Sequence, residues 1–315
     1  MTGLFWEVMK GLYNGPDGSE EVMSMSSARF RQTFTITWVF LLLSVVPSLF
    51  AQAFPKRIIS LSPNLTEIIY DIGAQDLLVG DTDFCKFPPA AQKKERIGGW
   101  INPNFEKIVS LKPDLVLALD FHEKTVGTLR KLGIRVLVLD CASVSKILAC
   151  YDRLGSVLGR TVQARTAKKA LQKRLDGVKA RSKGRKPVPI LFVIGRTPGT
   201  LDQIYGVGAK NFVHELVVLA GGENVMKDAM TDYPLVSKEK LLQRDPLVIV
   251  DSAFSHGTND QEGPQVWNRM PTLRAVREKR VYFFKNEDYL IPGPTMVNLA
   301  EYLCDIFEKA RDPHP

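Results

Sequence analysis

The side chains best suited to covalent or metal chemistry are few and far apart. Histidine occurs only at 122, 214, 256 and 314, and cysteine only at 85, 141, 150 and 304. The cysteines make no C-x-x-C pair and no metal-ligand spacing, so neither a zinc site nor a dense disulfide scaffold is implied. Whether Cys141 and Cys150 pair stays open. G-x-S-x-G, P-loop and H-E-x-x-H sequences are all missing. Gly206 and Gly208 lack the rest of a dinucleotide fingerprint and read as a loop, and His214 falls within a helix as a structural residue. The sequence therefore points to no catalytic residue and no metal. Arg196, just beyond a predicted strand, is a candidate for gripping a ligand amide or carboxylate. The alternative is a pairing with a surface acid.

Two acidic residues stand out by recurrence. Glu106 follows Asn102-Pro103 and Glu239 follows Ser237, which places both in the first turn of short predicted helices. Compensation of the helix dipole explains either one alone and contributes about 0.3–1 kcal/mol. It does not explain why each heads a matching segment. Glu106-Lys-Ile-Val-Ser-Leu-Lys-Pro113 leads into Asp-Leu-Val, and Glu239-Lys-Leu-Leu-Gln-Arg-Asp-Pro246 leads into Leu-Val. An earlier segment, Glu67 to Leu77, matches Glu215 to Val225 in residue type. Two matches in the same order indicate an internal duplication. Duplicated lobes face one another across a cleft, and clefts between domains are where ligands sit.

The elements that would position these residues alternate. Ile58–Leu61, Leu77–Gly80, Leu115–Leu119 and Val136–Leu139 are short apolar runs bounded by turn residues, so they read as buried strands. Leu65–Ile72 and His122–Leu132 are helical and stopped by Gly73 and Gly133. A long amphipathic helix is predicted from Thr161 to about Arg181, with Val162, Ala167, Leu171, Leu175 and Val178 as its apolar stripe. A second unit follows: strands Ile190–Ile194, Leu247–Val250 and Val281–Phe284, with helices Asn211–Leu219, Lys238–Arg244 and Thr295 to about Lys309. The expected fold is α/β, with two Rossmann-like lobes bridged by one long helix. The expected boundaries are 54–158 for the first lobe, 159–186 for the bridge and 187–315 for the second lobe.

The chain of 315 residues is 45% apolar and 24% charged, with a formal charge of +8 and no nucleic-acid motif. Arg29 and Arg31 precede an apolar stretch from Thr33 to Phe50 that ends in Ala51-Gln52-Ala53. This has the layout of a cleavable signal peptide, with cleavage after Ala53 and export to the periplasm. A membrane anchor is the alternative. The acidic, turn-rich residues ahead of Arg29 fit no such leader, and translation is expected to start at Met25.

Several motifs together resemble the cobalamin and iron-complex binding proteins of bacterial ABC importers. They are Arg57-Ile-Ile-Ser-Leu-Ser-Pro-Asn-Leu-Thr-Glu67, Val79-Gly80 leading to Phe87-Pro88-Pro89, Glu106 through Asp114, Ala220-Gly-Gly-Glu-Asn224 and Gly293-Pro294. The likeness runs from about Arg57 to the C-terminus. It implies a class III periplasmic-binding-protein fold, no enzymatic turnover, and a monomer that docks on a permease dimer with its ATPase through Glu106 and Glu239. It also implies a ligand between the lobes, met by Phe84 and Trp100 on one side and Tyr205, Tyr233 and Tyr289 on the other. Glu287 and Asp288 keep the acidic character of a ligand loop. Leu290, Ile291 and Thr295 stand where such receptors often carry charge, which favours a polar, uncharged corrinoid such as cobalamin over an anionic ferric siderophore. Haem is a third option, because a cleft tyrosine can ligate iron. An exported α/β enzyme or a sensor module on the same fold are the alternatives from other classes.

Overall fold

Apolar run length and turn chemistry decide the first lobe. In the computed structural model, which describes residues 54–252 and 264–312, five short strands form one sheet: β1 (Ile58–Ser60), β2 (Leu78–Asp81), β3 (Glu95–Arg96), β4 (Leu115–Leu119) and β5 (Val136–Leu139). Their order is β3-β2-β1-β4-β5 and every pairing is parallel. Parallel sheets need both faces covered, and the fully buried β4 fits that demand. Helix α1 (Pro63–Asp71) starts at a proline and buries Leu65, Ile68 and Ile69. Helices α2 (Phe105–Ser110) and α3 (Glu123–Lys131) complete the crossovers. The leader, its cleavage site, His256 and His314 lie outside the described residues.

A fourteen-residue helix, α4 (Val144–Val157), lies where the sequence reading assigns no element. It packs on the bridging helix α5 (Thr161–Ser182), which agrees closely with its expected span. The α5 stripe differs at its start. Val162 is 74% exposed, and Ala164 takes its place against α4. The reason is a close crossing: a Cβ on Gly155 of α4 would lie 2.4 Å from the Ala164 Cβ, so two small residues let the helices meet.

The second lobe is a mixed sheet built on β6 (Val188–Gly195). Strand β7 (Ile204–Gly206) runs antiparallel along its second half, and β8 (Gly222–Asn224) runs parallel along its first half. Strand β9 (Leu235–Val236) pairs antiparallel with β7, while β10 (Val248–Asp251) and β11 (Val281–Phe283) extend the other side in parallel. The helices are α6 (Phe212–Leu219), α7 (Lys238–Arg244), the single turn α8 (Arg274–Arg277) and α9 (Met296–Arg311).

From Phe54 onward the chain forms one compact unit. One continuous core runs from α1 and the first sheet through α4 and α5 to β6, α6 and α9. Separate smaller cores back the other face of each sheet. On its outer side α5 is tied to α9. Arg174 binds both Glu301 oxygens at 2.9 and 2.6 Å, and Arg181, seven residues on, binds Asp305 and Glu308 at 2.6 Å. Exposed pairs contribute little singly, but bidentate pairs repeated along two helices fix their register. No described helix is long and apolar enough to cross a membrane.

Candidate functional site

In a parallel α/β sheet the loops at the strand carboxyl ends carry the ligand chemistry. In the first lobe these loops hold aromatic rings. Phe84 follows β2 and is 47% exposed, with its ring edge 3.9 Å from the position a Cβ on Gly99 would take. Trp100, half-buried, meets Phe121 edge-on with centroids 5.3 Å apart. Phe121 lies tilted by 57° against His122 with centroids 4.3 Å apart, and His122 also lies 6.3 Å from Trp100. His122 is buried, and its Nδ1 accepts the Leu119 N–H at 3.0 Å. Burial lowers its pKa, so the ring is neutral at pH 7 and acts as a prop. Beside this cluster is a cavity of about 520 Å³ walled by Ile101, Phe105, Phe121 and His122.

Phe121 is absent from the sequence-based candidates. Its signal is present all the same: an aromatic residue two places beyond the end of a wholly apolar strand occupies a carboxyl-end loop. Together, Phe84, Trp100 and Phe121 expose ring surface at little cost in rotamer entropy, which suits a large, flat, partly apolar ligand.

The second lobe distributes its candidates differently. Tyr205 lies on β7, pairs across to Leu235 of β9 and is 41% exposed. Tyr233, just before β9, is also exposed. Tyr289 lies in a 3-10 turn, Glu287–Leu290, half-buried against the core with its ring 6.1 Å from Phe284. Glu287 opens that turn. Asp288 shares a cavity of about 420 Å³ with Lys86, Lys285 and Asn286, so this space lies between the two lobes.

Arg196 is buried and paired with an acid. Its side chain is 2% exposed and its Nε donates to Asp251 at 2.9 Å. Nη1 donates to the Thr200 carbonyl at 3.2 Å, and Trp267 Nε1 donates to the same Asp251 oxygen at 2.8 Å. A guanidinium at the end of β6 meets a carboxylate at the end of the neighbouring β10, and the pair is sealed before any ligand arrives. Arg196 therefore ties the carboxyl end of β6 to that of β10.

The two recurrent glutamates occupy equivalent positions. Glu106 is the second residue of α2, behind Asn104, whose side chain accepts the Lys107 N–H; Glu239 is the second residue of α7, behind Ser237, whose hydroxyl accepts the Lys240 N–H. Each helix precedes the strand that pairs in parallel with its lobe's first strand, β4 on β1 and β10 on β6. Both side chains are exposed. The Glu239 carboxylate is held below its ordinary pKa by its own backbone N–H and the Ser237 hydroxyl.

The lobes also touch directly. Asn64 Nδ2 donates to the Pro292 carbonyl at 3.1 Å. Glu67 Oε2 accepts from the Thr295 hydroxyl at 2.9 Å and its N–H at 3.2 Å, while Oε1 is buried without a partner among the described residues. Burial pushes the Glu67 carboxyl up to about 8. It is therefore mostly protonated at neutral pH and carries no charge into the interface. Gly293 permits this approach, because a Cβ there would lie 3.0 Å from the Asn64 side chain. At another point Glu215 of α6 accepts the Val144 N–H of α4 at 2.8 Å.

Two sheets, a bridging helix and facing loops are the architecture of receptors that enclose small ligands. The family described as periplasmic binding protein matches residues 58–287. The chain belongs to that family. A vitamin B12-binding protein of Salmonella typhi is 32% identical over 251 residues, covering 79% of this chain and 89% of the relative. One from Photorhabdus laumondii is 28% identical over 254 residues, covering 80% and 88%. The solved periplasmic vitamin B12-binding protein BtuF of Vibrio cholerae matches with a TM-score of 0.70 at 26% identity, covering 82% of this chain and 98% of its own. The periplasmic haem-binding protein RhuT of Roseiflexus sp. RS-1 reaches 0.70 at 22% identity, covering 82% and 99%, which is a likeness of fold. As a periplasmic binding protein, the chain has rings on its cleft-side loops. Among the described residues there is no cluster of His, Cys, Asp and Glu that could hold a metal ion.

Proposed function

We propose that this chain is the receptor of an ABC importer for a corrinoid, vitamin B12 or a close relative, and that it binds without turning its ligand over. The observation that carries the reading is the exposed cluster of Phe84, Trp100 and Phe121 on the carboxyl-end loops of the first lobe, set in a chain related to vitamin B12-binding proteins. A corrin ring is wide and flat with an amide-rich rim. Aromatic faces bury its apolar area, and the tyrosines and Asp288 of the other lobe offer hydrogen bonds to the rim. Glu106 and Glu239, at matching places on the two lobes, suit two arginine-bearing subunits of a permease dimer, and an ATPase drives release. The chain is exported by a leader cleaved near Ala53.

Titration of the purified protein with cyanocobalamin, haem and a ferric siderophore, followed by absorbance, tests the ligand. One-to-one saturation by cyanocobalamin at submicromolar concentration is expected, with the ligand recovered unchanged. Saturation by haem alone would transfer the assignment to iron complexes, with Tyr205 or Tyr233 as the axial ligand.

A further inference from the structure

The four thiols are not equivalent. Cys85 is enclosed by the hydroxyls of Thr66 and Thr82, each 3.2 Å from its Sγ, and Cys304 is buried on α9. Cys141 and Cys150, by contrast, face each other with their sulfurs 3.2 Å apart. One ends the β5 strand loop and the other sits in the second turn of α4. Both are buried, yet Ala142, Ser145 and Lys146 between them are exposed, so a small opening of this surface loop reaches the pair. We propose that Cys141 and Cys150 are a disulfide-forming pair, closed by exchange with a disulfide oxidant once the chain has left the reducing cytoplasm.

The chemistry balances in two exchanges. The Cys150 thiolate attacks one sulfur of the oxidant's disulfide, forming a mixed disulfide and releasing one thiolate. Cys141 then loses its proton and attacks the Cys150 sulfur, releasing the second thiolate. The pair gives up two electrons and two protons, and the oxidant's disulfide becomes two thiols. The hydrogen bond between the two sulfurs can run in either direction, so the same two exchanges can also begin at Cys141 and end at Cys150. The bridge would clamp the first turns of α4, where the Val144 N–H bonds Glu215 of the other lobe. A redox bond would then hold one of the points where the lobes meet.

The test uses the full chain, reduced and then equilibrated with oxidised glutathione, unfolded, and titrated with a thiol reagent. Reactive thiols are expected to fall from four to two. A peptide map of the alkylated protein should join Cys141 to Cys150 and leave the label on Cys85 and Cys304. Amide exchange at Val144 should be slower in the oxidised protein. In Cys141→Ser no internal bridge should form. Four thiols persisting in the wild type, or a bridge involving Cys85 or Cys304, would overturn the pairing. Equal exchange at Val144 in both redox states would overturn its link to the lobe contact. None of these readouts requires a ligand, so they stand apart from the corrinoid assignment.

Discussion

The two lobes share a plan and differ in how each builds its side of the cleft. Each places a glutamate at the second residue of a short helix, and each has an arginine–aspartate pair near its strand carboxyl ends. The first lobe then sets its aromatic residues in mutual contact, Trp100 on Phe121 on His122, over an all-parallel sheet. The second puts Tyr205 and Tyr233 on or beside the short antiparallel edge β7–β9 and packs Tyr289 on the core. On the proposed function, the recurring glutamates serve a twofold partner and the divergent aromatic residues serve a single asymmetric ligand.

The largest effect expected from breaking that symmetry is on transport. Glu106→Ala combined with Glu239→Ala should abolish uptake in cells while ligand affinity, read by absorbance titration, stays within about twofold, or roughly 0.4 kcal/mol. Each single change should leave partial uptake. An affinity that collapsed with either change would remove these residues from the docking role.

The ion pairs separate the lobes next. Arg196 is 2% exposed and Arg96 is 30% exposed, while Asp251 and Asp81 are both fully buried. Arg196→Ala should destabilise the protein by about 3–5 kcal/mol, because it removes the cationic partner of a buried carboxylate. Arg96→Ala should cost clearly less. Burial already pushes Asp81 up to about 7 against the pull of Arg96, so the carboxyl can take up a proton near neutrality instead of remaining charged. Urea unfolding of both variants at pH 7 measures the difference, and equal losses would refute it.

For the ligand, Trp100→Ala should weaken corrinoid binding by about 2 kcal/mol, some thirtyfold, since it removes a ring braced by its neighbours. Tyr205→Ala should cost about half that energy, because Tyr205 stands on an edge strand with 41% of its surface already exposed. Isothermal titration of both would invert the comparison if Tyr205 proved the larger loss.

The first lobe was the more legible in sequence, for a physical reason. Its inner strands β1 and β4 are buried on both faces, so they appear as unbroken apolar runs such as Leu115–Leu119, and Gly73 and Gly133 stop α1 and α3. The strands β7, β8 and β9 have only two or three residues each, too few for any periodicity to register. Helix α4 escaped because Ser145, Lys146 and Asp152 interrupt its apolar residues. The matching places of Glu106 and Glu239 were legible because repetition made them so. Arg196 stayed ambiguous because a strand-end arginine looks the same in sequence whether it faces a ligand or a buried Asp251 fifty-five residues away.

The contact that joins the lobes supplies an effect of a different kind, a dependence on pH with a clear sign. Glu67 comes from the first lobe and Thr295 from the second, and the carboxyl between them has a folded pKa of about 8 against an ordinary 4.5. Between those values the folded state holds a proton that the unfolded chain has released, so stability must fall as pH rises through this window. Below about 4.5 the penalty is absent, and above about 8 it is fully present. The slope contributed by this one group approaches about 1.4 kcal/mol per pH unit. Glu67→Gln keeps the shape, and its amide oxygen accepts from the Thr295 hydroxyl and N–H without titrating. Its stability, measured by urea unfolding at pH 5, 6.5 and 8, should therefore lack that slope, while the part due to Asp81 remains in both proteins. Parallel pH profiles for wild type and Glu67→Gln would mean that Glu67 is already ionised at neutrality. The lobes would then be held by a charged carboxylate accepting from Thr295, and not by the neutral acid that its burial implies.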